Sequence, residues 1–159
     1  MASELSNAER SPTTNLMLLS WHCFKKGVQL GAVLGNASIL PIYFWKVYKS
    51  KATFDFSKVL RHQVTAMTLG TVLSMSLMTA KYSGWENKAE CLKDRVYRIS
   101  KNEGQVRTDI FAGAGFVCAF GVGFLSTGKL MKSLAISSFG ISLGILGHVL
   151  TKESAKKAE

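Results

Sequence analysis

Four stretches of this 159-residue chain carry no charged side chain, and each is 19 residues long: Gly27–Trp45, His62–Ala80, Ile110–Gly128 and Ser133–Thr151. A lysine, arginine or aspartate stands at both ends of every one. At the rise of an α-helix each stretch makes a rod about 28 Å long, the hydrocarbon thickness of a bilayer. With 19% of residues charged, a random window of that length escapes charge about one time in fifty. The 20 basic and 10 acidic residues are thereby confined to the remaining 83 positions. This pattern predicts an all-α membrane protein of four transmembrane helices. A soluble bundle would show Lys or Glu once per turn on an outer face, and these stretches show none. Their polar residues are Ser, Thr, Gln, Asn and His, which can bond the backbone or a neighbouring helix.

Four spans leave little chain for anything else, so residues 1–159 read as a single membrane domain with no soluble core. The N-terminal segment 1–15 reads as extended. It holds Glu4 and Glu9 beside Arg10, which fits neither a secretory signal nor an Arg-rich presequence. The net charge of +10 flanks apolar spans, where it meets anionic lipid head groups, so nucleic acid is not an expected partner. The side holding both termini and the central segment has thirteen basic residues against nine acids; the linkers 46–61 and 129–132 have seven against Asp55 alone. Basic flanks prefer the cytoplasmic or matrix side, which places the termini in the opposite compartment.

Small residues recur at helical spacing. Gly27, Gly31 and Gly35 line one face of the first span, Ala66, Gly70 and Ser74 the second, Gly115, Ala119 and Gly123 the third, Gly140 and Gly144 the fourth. Such seams let helices approach to backbone contact, predicting a compact bundle with Gly-rich packing faces. Pro41 should kink the first span. Tyr43, Phe44, Trp45 and Tyr48, and again Tyr82 and Trp85, read as interfacial aromatics. The apolar run Leu16–Phe24, cut from the span by Lys25 and Lys26, either lies on the surface or extends the first helix. The central segment places Leu92, Val96 and Ile99 on one side of a short amphipathic helix between the second and third spans. It is an interfacial or docking helix, or a solvated linker. Arg95, Arg98, Arg107 and Asp109 in this region are candidates for docking or lipid contact.

Catalytic chemistry has no signature here. His22, His62 and His148 stand apart with no second ligand at metal spacing. No acid or base lies within a span, as ion-handling proteins require. Cys118 is mid-span, whereas Cys23 and Cys91 fall on one membrane face, either as two free thiols or as a disulfide if that face is oxidising.

Four short spans, a glycine seam in the first, and cysteines flanking the first two resemble the Tim family of mitochondrial inner-membrane translocase subunits. That superfamily also includes a four-helix accessory subunit of respiratory complex I. The family's arginine and aspartate before a glycine-rich third span are matched by Arg107 and Asp109 before Gly113 and Gly115, with compressed spacing. The resemblance covers roughly residues 20–150 and is closer in kind to the non-translocating accessory subunit. It implies a multi-pass protein of the mitochondrial inner membrane with both termini in the intermembrane space. It also implies a Cys23–Cys91 disulfide. The expected role is a non-catalytic respiratory-complex subunit, complex I above all, with other membrane subunits and phospholipid, such as cardiolipin, as partners. No cofactor and no small-molecule substrate are expected. The alternatives are a component or assembly factor of an inner-membrane translocase and, third, a small solute transporter.

Overall fold

The computed structural model describes residues 10–50 and 55–158, and every regular element among them is a helix. They are α1 (Pro12–Ser50), α2 (Phe56–Ser83), α3 (Lys88–Lys101), α4 (Glu103–Thr127) and α5 (Leu130–Ala158). Residues 1–9 of the expected N-terminal extension fall outside the described residues. Residues 12–15, also expected extended, are already helical.

Ser11 and Pro12 start α1. The Ser11 hydroxyl accepts the Thr14 N–H at 3.2 Å, and Pro12 fills a first-turn position where a missing N–H costs nothing. The helix then continues for 39 residues, about 58 Å. The run Leu16–Phe24 therefore extends the first helix, and Pro41 lies inside it without ending it. Asp55 caps α2 by accepting the N–H groups of Ser57 at 3.1 Å and Lys58 at 3.4 Å. Gly128 closes α4 in the left-handed conformation, at φ +60°, and its N–H donates to Phe124 O at 2.8 Å. A side chain there would be strained, so glycine allows α5 to begin two residues later.

The helices form two antiparallel hairpins, α1 with α2 and α4 with α5. Their seams are made of the small residues. A Cβ on Gly31 would lie 2.6 Å from Met67 Cα, and one on Gly70 would lie 2.5 Å from Gly27 O. In the other hairpin a Cβ on Gly115 would lie 2.8 Å from Gly140 C, and one on Gly144 as close to Phe111 C. Backbones this near leave no room for any side chain. The hairpins join where Ala32, Met67, Ala112 and Ile141, one residue from each long helix, are buried together.

The amphipathic α3 folds back on its own chain. Leu92 and Val96 are buried against Leu19 of α1, with Leu16, Cys23, Met78, Tyr82, Trp85 and Ile99 around them. Tyr82 and Trp85, expected as an interfacial belt, are spent on this small core, edge to face at 5.8 Å. The apolar side of α3 is thus occupied within the molecule, and its charged side remains outward.

Among the described residues three helices are long and apolar enough to cross a membrane: α1 over Pro12–Lys46, α4, and α5 over Leu130–Lys152. The fourth expected span, 62–80, is helical, but its Thr, Ser, His and Gln content keeps it from standing out by length and composition.

Candidate functional site at the charged end of the bundle

Lys25 and Lys26 interrupt an apolar helix, which is costly unless an anion meets them. Asp109, 84 residues along the chain, does so from α4. Lys25 Nζ donates to its Oδ2 at 2.9 Å, Lys26 Nζ donates to Oδ1, and Gln29 Nε2 donates to Oδ1 at 3.0 Å. Lys26 also donates to Gln29 Oε1 at 3.0 Å. The Asp109 side chain is only 13% exposed. Burial pushes its carboxyl upward, but the hydrogen bonds from Lys26, Lys25 and Gln29 outweigh that and hold it at about 2, below the ordinary 3.8. This aspartate stands just outside the uncharged stretch of α4, as the two lysines stand just outside that of α1.

His22 completes the cluster, its Nδ1 4.0 Å from Asp109 Oδ2 and its Nε2 3.1 Å from Gln105 Nε2. Burial lowers its pKa; Asp109 pulls the other way, and Lys26, Lys25 and Arg95 reinforce the lowering. A neutral ring accepting from Gln105 at Nε2 carries its proton on Nδ1, facing the carboxylate. Two lysines against one aspartate leave the cluster with one excess positive charge. An open groove of about 390 Å³ runs beside it between α1, α3 and α4, with Trp21, Val96, Ile99 and Ile110 in its walls.

A second polar set lies deep among the apolar stretches. Asn36 Nδ2 donates to Ser138 O at 3.2 Å and to Ser142 Oγ at 2.7 Å, while Gln63 Nε2 donates to Asn36 Oδ1. One amide on α1 thereby links α2 to α5. Gln63 is fully buried, and its Oε1 has no hydrogen-bond partner. Gly35 makes space for it, since a Cβ there would lie 2.5 Å from that oxygen.

The seam residues named from the sequence sit as follows. Gly27, Gly31 and Gly35 face Gly70, Ala66, Gln63 and Ser74 across the α1–α2 contact, and Ser74 Oγ donates to Cys23 O at 2.8 Å. Gly115, Ala119 and Gly123 face Gly140, Gly144 and Ser133 across the α4–α5 contact. All these seams close the molecule on itself, so they are not available to hold a neighbouring subunit. Gly113 and Gly121 have open space around them. They lie on an α4 surface with Val117, 67% exposed, and Leu125, 88% exposed.

Among the docking candidates, Asp109 is turned inward onto the lysines. Arg98 pairs with Asp94 on its own helix at 2.9 Å, and Arg95 and Arg107 are exposed. The Cys23–Cys91 bridge is not formed: Cys23, Cys91 and Cys118 are free thiols, and Cys23 packs instead in the apolar core beneath α3. His148 is buried against Phe111, ring centroids 5.6 Å apart, and His62 meets Tyr43 at 6.0 Å. Among the described residues no three His, Cys, Asp or Glu groups gather as metal ligands.

Sequence reasoning missed His22, Lys25, Lys26, Gln29 and Gln105 as a unit, along with the Asn36–Gln63 pair. Two signals were present: a double lysine inside an apolar run, and side-chain amides within the first two uncharged stretches.

A family model described as a protein of unknown function, DUF1757, matches residues 6–150. Neither a curated protein nor a solved structure shows a match to this chain.

Proposed function

The chain belongs to the DUF1757 family, and we propose that it is a four-span, non-catalytic structural subunit of a larger membrane complex. The observation that carries this reading is an inverted polarity. The largest fully buried side chains are Leu92, on the inner face of α3, and then Gln63, Ser133, Ser137 and Ser138. Meanwhile Leu69, Leu73, Leu77, Leu143 and Leu146, each more than half exposed, face outward. In water that arrangement exposes apolar surface at about 25 cal/mol per Å²; in lipid it costs nothing, and hydrogen bonds and close packing hold the helices.

Two features support α2 as a fourth span. Thr65, Thr68, Thr71 and Thr79 return their hydroxyls to the carbonyls four residues earlier, at 2.8–3.0 Å, so those groups meet lipid already satisfied. Its seam with α1 runs from Gly27 opposite Ser74 to Gly35 opposite Gln63. A helix pressed along a spanning helix over that length shares its depth.

The structural role rests on where the polar groups go. Asn36, Gln63, Lys25, Lys26 and Asp109 are engaged in holding helices together, with none set on a path through the bundle. The uncovered α4 surface around Gly113, Val117 and Gly121 is where a neighbouring membrane subunit fits. The resemblance to the Tim superfamily supports the mitochondrial inner membrane as the place of that complex, with respiratory complex I first.

Two measurements test this. The protein should stay in the pellet after alkaline carbonate washing, and release would overturn the membrane reading. In native electrophoresis of mitochondria it should comigrate with NADH dehydrogenase activity, and the Gly113→Leu variant should lose that comigration while keeping its helicity. Comigration with import machinery would refute the assignment to a respiratory complex.

A further inference from the structure

At the end of the bundle opposite the Asp109 cluster, α2 and α5 diverge around an open groove of about 310 Å³, lined by Ser57, Leu60, Arg61, Val64, Thr65, Met131 and Lys132. Arg61 and Lys132 each occupy the last position before an uncharged stretch, 62–80 and 133–151. Two adjacent helices therefore raise a cation at the same level, where the apolar region ends. Below them the lining is apolar, with Leu60 buried and Val64 half-buried.

Among the described residues no acid pairs with Arg61 or Lys132. The linkers at this end carry one acid, Asp55, and its carboxylate is taken by Lys58 at 3.3 Å. The groove beside Asp109 differs, because Lys25 there already has its anion. Lys132 also lies in the first turn of α5, where the positive end of the helix dipole adds to its own charge.

We propose that this groove is a binding site for an anionic phospholipid. Its phosphodiester lies between the Arg61 guanidinium and the Lys132 ammonium, and its acyl chains run down over Val64, Leu60 and Met131. Arginine supplies planar, paired donors suited to phosphate oxygens, and lysine supplies a point charge. A zwitterionic lipid gains less, because its own cation competes for the same phosphate. The proposal rests on the membrane reading above and adds to it a specific lipid class and place.

The test uses full-length protein in mild detergent, with phosphatidylglycerol titrated against phosphatidylcholine and bound lipid counted by native mass spectrometry. Wild type should prefer phosphatidylglycerol, and Arg61→Gln and Lys132→Gln should each weaken it about fivefold. Lys49→Gln, with the same charge change at the same end but outside the groove, should leave it unchanged. Val64→Phe, which fills the floor and keeps both cations, should weaken the lipid and leave any binding of inorganic phosphate untouched. Equal losses in all three charge variants would reduce the effect to bulk charge and overturn the site. So would inorganic phosphate displacing the lipid at comparable concentration. Carbonate resistance and helicity of each variant separate failure of this proposal from failure of the membrane reading.

Discussion

Replacing Gly31 with alanine adds one methyl group at the tightest point of the α1–α2 seam. That carbon would lie 2.6 Å from Met67 Cα and 2.9 Å from Ala66 C, both backbone atoms that cannot rotate away. Ordinary carbon contact begins near 3.5 Å, so the helices must part by about 1 Å. A gap of that size forfeits a quarter to a half of the dispersion along the contact, and forced overpacking typically costs 1–3 kcal/mol. We expect Gly31→Ala to destabilise the protein by about 2 kcal/mol, roughly thirtyfold in the folded-to-unfolded ratio. Gly113→Ala is the matched control, because nothing lies within 4 Å of a Cβ there. It should be neutral or slightly stabilising, alanine being the better helix former. Reversible unfolding in mixed micelles, followed by circular dichroism, reads both. If Gly31→Ala falls within about 0.5 kcal/mol of Gly113→Ala, the seam does not hold this hairpin and the packing argument fails.

Asp109→Asn strips the anion from Lys25 and Lys26 and should cost about 1–2 kcal/mol in thermal unfolding, reduced from a buried pair because both lysines are partly exposed. The sign of its pH dependence follows from a carboxyl that titrates at about 2 when folded against 3.8 ordinarily. The stabilisation is present above pH 4 and is lost as the pH falls from about 4 toward 2. Wild type and variant should therefore converge over that window, and a gap that persists at pH 2 would contradict the ion cluster. Asn36→Ala removes the hydrogen bonds that tie α1 to α5 and Gln63, with an expected cost of about 1–2 kcal/mol in the same assay. Unchanged stability would show that the deep amides contribute no net binding between hairpins.

Local features of this fold were legible in the chain, and partnerships were not. The uncharged stretches locate the long helices because spacing and charge exclusion are properties of one segment at a time. The periodicity of Leu92, Val96 and Ile99 marks α3 for the same reason. Lys25 and Lys26 left the run Leu16–Phe24 open between lying on the surface and extending the first helix. They look like a boundary, yet the helix passes through them, with Asp109 pairing with both from far along the chain. The glycine seams show from spacing that close contact occurs, but spacing does not say with which helix. They close within the two hairpins, and Gly113 and Gly121 of α4 stay uncovered. A shared membrane face left Cys23 and Cys91 open between free thiols and a bridge, and the bridge was what the family resemblance implied; sharing a face does not bring two thiols to bonding distance. The second uncharged stretch reads as the least apolar of the four, because composition counts its threonine hydroxyls as polar, although the helix returns them to its own carbonyls.

The two-residue connection between α4 and α5 has a consequence for how the hairpin enters a bilayer. With Gly128 folding the chain sharply back, neither helix can be threaded without the other, and Lys129 and Lys132 travel at the leading tip. Moving one elementary charge through 100 mV is worth about 2.3 kcal/mol. On the membrane reading proposed above, an energised membrane draws this tip toward its negative compartment and opposes its return, which would make voltage a ratchet on insertion.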